Sequence, residues 1–132
     1  MNPSKGYYSL IQFCPDLMLG EVANVGVLLF CPELAFLKAV TIGNNSRIIR
    51  IFGSEGHDWE RINTLKKGLE ERISRQATEI RTADDLQQFI ATRANLFQVT
   101  SPRPMKVINP EEDLNALFQQ VFGVPVVISD DV

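Results

Sequence analysis

Two prolines each end an apolar, β-favouring run, and the positions of these prolines constrain the fold more than any other feature of the chain. "YYSLIQF", residues 7–13, is closed by Pro15, and "VANVGVLLF", residues 22–30, is closed by Pro32. Because proline cannot donate to a sheet ladder, each run predicts a strand that ends there. "AFLKAVTI", residues 35–42, predicts a third strand before the turn signal "GNN". Three strands with short connections predict an antiparallel meander.

After the meander the apolar spacing changes to steps of three and four, which indicates helices. "SRIIRIF", residues 46–52, predicts a short helix with Ile48, Ile49 and Phe52 inward. The main helix is expected from about residue 58 to residue 80. Its apolar stripe is formed by Trp59, Ile62, Leu65, Leu69, Ile73, Ala77 and Ile80.

Capping signals define two further helices. Thr82, followed by two aspartates, predicts the start of a third helix. In "NPEEDLNALFQQVFG", Asn109 caps, Pro110 takes the first helical position and Gly123 terminates the fourth helix. Between these two helices, "FQVTSPRPMKVI" predicts two short extended pieces around a proline-rich kink.

These elements predict one α+β domain spanning residues 1–132, with an antiparallel sheet of three to five strands packed with three or four helices. A chain of 132 residues suits a single core of this size. Trp59, Leu65, Leu69 and Ile73 are the residues expected to lie against the sheet. Residues 124–132, "VPVVISDDV", are expected to form either a loose tail or an edge strand.

Asn24 and Gly26 interrupt an otherwise apolar strand. A glycine inside a strand predicts a bulge or the close approach of a neighbour, for which the ring of Tyr7 or Tyr8 is one candidate. A buried Asn24 must pair its amide, and the backbone of residues 14–20 is the expected partner. A contact with a ligand or a protein partner is the alternative for this amide.

Catalytic and cofactor motifs are not found in the sequence. Phosphate-binding loops, dinucleotide-binding glycine motifs and metalloprotease or hydrolase motifs do not occur, and no cofactor is expected. His57 is the one histidine, and the start of a helix explains it and Asp58 better than an acid–base pair does. The sequence thus favours a protein without enzymatic activity.

Charge and apolar run length narrow the class of partner. The net charge is −3, which does not favour nucleic acid or anionic membrane. The longest apolar run, residues 25–31, is far shorter than the roughly 20 residues of a membrane helix. No signal peptide is recognised, and a cytoplasmic protein is expected.

Two alternative sites use charged side chains. Asp16, Glu21 and Glu33 lie near strand ends, where a metal-dependent nuclease or hydrolase would hold its acids, although solvated loop charge is the favoured interpretation. A basic patch that binds an anion or a nucleic-acid backbone would require four cations to adjoin. These cations are Arg47, Arg50, Arg103 and Lys106.

Cys14 and Cys31 are the two cysteines of the chain. Their spacing fits no zinc motif. A disulfide requires the two strands to pair there, and two buried thiols are the favoured interpretation.

The segments "YYSLIQFCPD", "GEVANVGVLLFCPE" and "SPRP" followed by "NPEEDLNALF" resemble an uncharacterised bacterial family, domain of unknown function 3037. Its pattern is Tyr-Ser-x-x-Gln-Tyr/Phe-x-Pro-Asp, then Glu-x-x-Asn-Val-Gly-Val-x-Leu, and a late Pro-Arg segment before an acidic helix start. The matching positions are Tyr8, Ser9, Gln12, Pro15, Asp16, Glu21, Asn24, Val25, Gly26, Val27, Arg103 and Leu117.

The resemblance implies a partner rather than a chemistry. The family has no established activity, and its members are often encoded beside a HipA-like kinase. The motif residues Gln12, Asp16, Glu21, Asn24 and Gly26 are expected at one end of the first hairpin. There they would either hold the 14–20 loop in shape or present a small polar surface to a partner.

The expected function is that of a non-enzymatic accessory or interaction protein. Its candidate partners are a HipA-like kinase, a component related to phage or defence, and a second copy of the chain. Nucleic acid is a less favoured partner, and a membrane is not expected. An edge strand or the apolar tail 124–128 is the expected contact.

Overall fold

The computed structural model describes residues 2–91 and 96–124. Its strands are β1 Ser4–Phe13, β2 Ala23–Cys31, β3 Phe36–Thr41, β4 Phe97–Val99 and β5 Arg103–Val107. Its α-helices are α1 Ser46–Phe52, α2 Trp59–Arg75, α3 Ala83–Ile90 and α4 Pro110–Phe122. The α+β class is confirmed. Of the predicted tail, residues 125–132 lie outside the described residues.

All strand pairs are antiparallel, in the order β3-β2-β1-β4, with β5 also paired to β1. Tyr7 is opposite Phe30, and Phe30 is opposite Leu37, so the three-strand meander is confirmed. The sheet joins the N-terminal hairpin to late strands, and β1 is its central element.

β4 and β5 continue one another along the same edge of β1. Ile11 pairs with Val99, and Tyr8 pairs with Arg103, which leaves one extra residue on the outer strand between the two pairs. Thr100 bridges the step, because its hydroxyl accepts from Leu10 N at 2.8 Å and its N–H donates to Leu10 O at 2.9 Å. The proline-rich kink is therefore a β-bulge in one outer strand.

Helices cover both faces of the sheet. Lys38 and Thr41 are three residues apart in β3, so their side chains start on opposite faces. Lys38 forms an ion pair of 3.2 Å with Glu111 of α4, whereas the Thr41 hydroxyl donates to Glu70 of α2 at 2.7 Å. Because α2 and α4 lie on opposite faces, β2 between them is buried on both, as its near-continuous apolar sequence predicts.

The main helix is shorter than its apolar stripe predicts. α2 ends at Arg75, and the next residues form a turn in which Ile80 N donates to Gln76 O. Ile80 is still buried, so the stripe extends beyond the helix into the turn. Leu69 and Ile73 are buried as expected. Trp59 and Leu65 are only partly buried and pack against the edge of the core.

α1 also departs from its prediction at one position. Ile48 is fully buried and Phe52 is half-buried, but Ile49 is exposed. A helix of seven residues has room for one narrow apolar stripe, and residues 48 and 52 occupy it. The expectation that Ile49 points inward was wrong for this reason.

Lys66 connects α2 by hydrogen bonds to the segment that follows β3. The sequence pattern did not reveal this role. Its ammonium is buried and donates to Ile42 O at 2.9 Å, Asn45 Oδ1 at 3.1 Å and Asn44 O at 3.4 Å. Burial lowers the pKa of Lys66, and the neighbouring Glu70 carboxylate partly opposes that shift. A buried lysine is tolerated here because three oxygen atoms satisfy its donors.

The predicted caps are confirmed. Asp85 N donates to the Thr82 side chain while the Asp85 carboxylate accepts from Thr82 N, which is a capping box. Asn109 accepts from Glu112 N ahead of Pro110 in the first turn, and Gly123 ends α4 with φ of 72°. Such caps satisfy helix-end donors that otherwise lack partners.

The two cysteines are free and buried. Cys14 follows the end of β1, beside the pair Phe13 and Ala23, whereas Cys31 is the last residue of β2, opposite Phe36. The thiols therefore lie at opposite ends of the first hairpin, and the register excludes a disulfide between them. Burial raises the pKa of the Cys31 thiol.

In the described ranges, no helix combines the length and the apolar character that crossing a membrane requires.

Candidate interaction surface at the first hairpin

A β-bulge lies at the base of the hairpin formed by β1 and β2. Ile11 is opposite Gly26 but Gln12 is opposite Asn24, so Val25 is the extra residue of β2. Val25 O accepts from Ile42 N at 2.7 Å, which ties the bulge to the segment after β3. One of the two roles expected of this glycine, a bulge, is therefore present at Gly26.

Gly26 also allows the backbone of β3 to come close. A Cβ at this position would lie 2.7 Å from Val40 O and 3.0 Å from Thr41 Cγ2. The close neighbour is therefore a strand backbone rather than a tyrosine ring. Tyr7 stacks on Phe30 instead, with ring centroids 6.2 Å apart.

A chain of three side-chain amides crosses the sheet beside the bulge. Gln98 Nε2 donates to Gln12 Oε1 at 2.9 Å, and Gln12 Nε2 donates to Asn24 Oδ1 at 3.0 Å. The chain connects β4, β1 and β2, and all three residues are half-buried. The sequence led us to expect that Asn24 pairs with the backbone of residues 14–20. This expectation was wrong, because Asn24 pairs with Gln12. The amides link three strands where the hairpin loop begins.

The loop of residues 14–22 has its own internal hydrogen bonds. Asp16 Oδ1 accepts from Met18 N at 2.9 Å, and Asp16 O accepts from Leu19 N at 3.3 Å. Cys14 N donates to Leu96 O at 2.7 Å at the loop's first residue, and Gly20 has φ of 69° near its end. Short aspartate turns of this kind fix a tight loop. Asp16 therefore shapes the loop.

The tip of this loop is apolar and lies in solvent. Leu17, Met18 and Leu19 are 61%, 95% and 65% exposed, and we call these three residues the apolar tip. The exposed acids Asp16 and Glu21 flank it. An exposed leucine alone is ordinary, but a run of large apolar side chains on a shaped loop is typical of interaction sites.

The four cations of the predicted basic patch are not arranged as one surface. Arg47 is engaged with α4, where its guanidinium donates to Val121 O at 3.0 Å and lies 4.8 Å from the centre of the Phe122 ring. Arg103 and Lys106 are three residues apart in β5, so their side chains start on opposite faces. Arg50 remains on the exposed side of α1.

The three acids of the alternative hydrolase site are separated by the length of β2. Glu21 precedes this strand, and Glu33 lies in the 3-10 turn Pro32–Leu34 that follows it. Asp16 is in the hairpin loop with Glu21, at the end of β2 far from Glu33. Within residues 2–91 and 96–124, no group of three histidine, cysteine or acidic side chains could hold a metal ion.

His57 and Asp58 lie at the start of α2, as the sequence predicts. Asp58 accepts from Arg61 N at 3.1 Å as the N-cap. His57 Nε2 lies 3.1 Å from Gly53 O, and its ring packs 4.8 Å from the ring of Trp59, measured between centroids. Both side chains therefore have structural contacts.

Sequence reasoning missed two parts of this surface. Gln98 did not stand out, because a glutamine in a short strand carries no special spacing. The apolar tip was visible as "LML" between Asp16 and Gly20, and apolar residues in a loop that turn signals bound were the available sign.

A family model described as "Protein of unknown function (DUF3037)" matches residues 8–122. The match covers the hairpin from Tyr8 onward, the amide chain and all four α-helices described above, and it stops before the tail. No curated protein matches the chain, and no solved structure does.

Proposed function

We propose that this chain, which belongs to the DUF3037 family of proteins of unknown function, is a non-enzymatic accessory protein that binds a protein partner through its first hairpin. The observation that supports this role is the exposure of the apolar tip, with Met18 at 95%. Transferring such side chains from water into a partner's pocket is favourable by about 1.5–3 kcal/mol each when burial is complete.

The loop's internal bonds support the same proposal. A disordered apolar loop loses conformational entropy when it becomes ordered on binding. A loop that Asp16 already holds in shape loses less. The amide chain of Gln98, Gln12 and Asn24 contributes by fixing the three strands from which the loop projects. The motif residues of the family thus have one common role in this proposal, which is to present the tip.

The experiment compares capture of proteins from the native host by two immobilised variants and the wild type. The tip variant carries Leu17→Ser, Met18→Ser and Leu19→Ser. The matched control carries Leu34→Ser and Ile108→Ser, which change exposed apolar residues outside the hairpin loop. A purified HipA-like kinase, the partner that the family resemblance implies, is titrated separately against all three proteins.

We expect a protein that the wild type and the control retain and the tip variant loses by at least about tenfold in affinity, as for interface residues at the centre of a contact. Circular dichroism and thermal melting should be the same for all three proteins. Equal capture by the tip variant and the wild type would show that the tip is not the contact and would overturn the proposal.

A further inference from the structure

β3 lies at one edge of the sheet, with β2 on its inner side and no further strand on its outer side in the part of the chain that the structure describes. Just after β3, Ile42 N donates inward to Val25 O, whereas Thr41 N donates outward to a side chain of α2. Backbone groups alternate in direction along an antiparallel strand. The N–H and C=O groups of Ala39 and Leu37 therefore face outward, as those of Thr41 do.

The outward backbone groups of Leu37 and Ala39 are buried and unpaired. Each residue is only 5% exposed, yet neither its N–H nor its C=O has a hydrogen-bond partner among residues 2–91 and 96–124. Such groups are rare in folded proteins, because each costs about as much free energy as a lost hydrogen bond. A ligand with matching donors and acceptors would relieve this cost.

A groove of about 510 Å³ lies beside these groups, between β3 and α2. Lys38 and Ala39 line it from the strand, and Glu71, Ser74 and Arg75 line it from the exposed side of α2. The volume is within the range of about 300–1,000 Å³ that is typical of ligand sites. The lining residues include two cations and two acids, so the groove does not favour a ligand of either charge.

The outer edge of β5 differs from that of β3. Thr100 N donates to Leu10 O, so every second residue of β1, counted from Leu10, directs its backbone groups to this side of the sheet. Tyr8 and its partner Arg103 therefore face each other, and Pro104 faces outward. Proline has no N–H, so β5 lacks an outward donor where β3 has one, and proline is a common residue on edges that do not add strands.

We propose that the outer edge of β3 binds an extended, uncharged peptide segment of a partner protein, which adds to the sheet as a further strand over Leu37 and Ala39. Outward groups two residues apart repeat about every 6.8 Å along a strand, and an extended polypeptide repeats its own donors and acceptors at the same interval. Strand addition of this kind takes its affinity from main-chain hydrogen bonds. Glu70 already occupies Thr41 N, so the added strand ends before that residue.

This site shares no residue with the apolar tip, so its test is independent of the proposed function. The probe is a synthetic peptide of about six residues, a usual strand length, in which the β-favouring residues threonine and valine alternate. Both ends are blocked, and a fluorescent label allows binding to the full chain to be followed by anisotropy. We expect a dissociation constant below about 1 mM for the wild type and an equal value for the tip variant.

Two proline substitutions form a matched pair. Ala39→Pro removes an outward N–H of β3 and places a ring where the added strand would lie. Lys106→Pro removes an outward N–H of β5, since Lys106 is two residues after Pro104. Ala39→Pro should weaken binding of the peptide by at least about tenfold, whereas Lys106→Pro should leave it unchanged. Circular dichroism checks that both variants are folded.

Amide hydrogen exchange of the unmodified chain gives a measurement that does not depend on the folding of a variant. With the peptide at saturation, exchange of the Leu37 and Ala39 amides should slow by at least about tenfold, and exchange of the Lys106 amide should not change. Three results would each overturn the inference: no binding up to about 1 mM, equal weakening by the two prolines, or unchanged exchange at Leu37 and Ala39. The proposed function would stand in each case, because it depends on the tip alone.

Discussion

Glu70 Oε1 accepts hydrogen bonds from both the backbone N–H and the hydroxyl of Thr41, at 2.6 Å and 2.7 Å. Thr41 is the last residue of β3, an edge strand, so a carboxylate of α2 occupies a backbone donor that a neighbouring strand would otherwise take. The Glu70 side chain thus satisfies one backbone donor at the edge of the sheet and holds α2 against β3.

Replacing this carboxylate should destabilise the protein. Glu70→Ala leaves Thr41 N without its acceptor and removes the carboxylate charge that favours the charged form of the buried Lys66. Hydrogen bonds to charged groups contribute about 1.5–3 kcal/mol, and we expect a loss of this size in the free energy of unfolding in urea. Glu71→Ala, at the exposed neighbouring position, should stay within about 0.5 kcal/mol. Equal effects of the two changes would contradict the role given to Glu70.

Two glycine substitutions should have opposite signs. Gly26→Ala places a methyl group 2.7 Å from Val40 O and should cost about 1–3 kcal/mol, because neither strand can move away easily. Gly68→Ala lies in the interior of α2 with no atom within 4 Å of the new Cβ. It should stabilise the protein by about 0.5–1 kcal/mol, the difference between glycine and alanine in a helix. Thermal melting of both variants measures the signs.

Leu69→Ala tests the packing of α2 on the sheet. Leu69 is buried, and removing its side chain leaves a cavity that typically costs about 2–5 kcal/mol. Leu65→Ala, at a half-buried position one turn earlier, should cost less. A change below about 0.5 kcal/mol for Leu69→Ala in a chemical melt would mean that this face of α2 does not carry the core.

The hydroxyl of Ser9 is buried and has no hydrogen-bond partner among the residues that the structure describes. Ser9→Ala removes an unpaired polar atom, so the free energy of unfolding should stay the same or rise by up to about 1 kcal/mol. Thr100→Val is the matched comparison, because it removes a hydroxyl that accepts from Leu10 N, and it should be destabilising. A large loss with Ser9→Ala would indicate that the hydroxyl has a partner.

The pH dependence of stability should include a contribution from Asp85. The N–H of Arg81, together with the hydroxyl and N–H of Thr82, holds the pKa of Asp85 below its ordinary value. A lowered carboxyl pKa stabilises the fold fully above the unfolded value of about 3.9, and the stabilisation is lost as the pH falls through the lower folded value.

Asp85→Asn should therefore lower stability at neutral pH and flatten its decline during acidification from about pH 5 to pH 2. Asp84→Asn keeps the capping box and serves as the control, because Asp84 is exposed in the same first turn. Parallel curves for Asp85→Asn and the wild type in urea melts across this range would contradict the assignment.

The sequence predicted the parts of the fold that depend on local chemistry. Pro15 and Pro32 placed the ends of the first two strands, and Thr82 and Asn109 placed the starts of two helices, because turns and caps are made by neighbouring residues. It could not predict that β4 and β5 pair with β1, since pairing between distant segments leaves no periodicity of its own.

The same distinction holds for the candidate surface. Asn24 and Gly26 stood out because an amide and a glycine are unusual in an apolar strand. The predicted hydrogen-bond partner of Asn24 was wrong. Gln12 and Gln98 are brought beside Asn24 only by the register of three strands, which the sequence does not show. The exposure of Ile49 and the burial of Lys66 were also beyond the sequence, since each depends on where one short element packs.

The position of β1 at the centre of the sheet affects how the chain folds during synthesis as well as the stability of the folded protein. One side of β1 pairs with a segment that follows directly, as Gln12 does with Asn24, 12 residues away. Its other side pairs with a segment 90 residues away, as Leu10 does with Thr100. Contacts between distant segments form late and slow the folding reaction.

During synthesis from the N-terminus, the first hairpin can form early on the ribosome. The edge of β1 that pairs with β4 and β5 stays open until residue 107 has emerged. A chain that stops before β5 would expose that edge to other nascent chains.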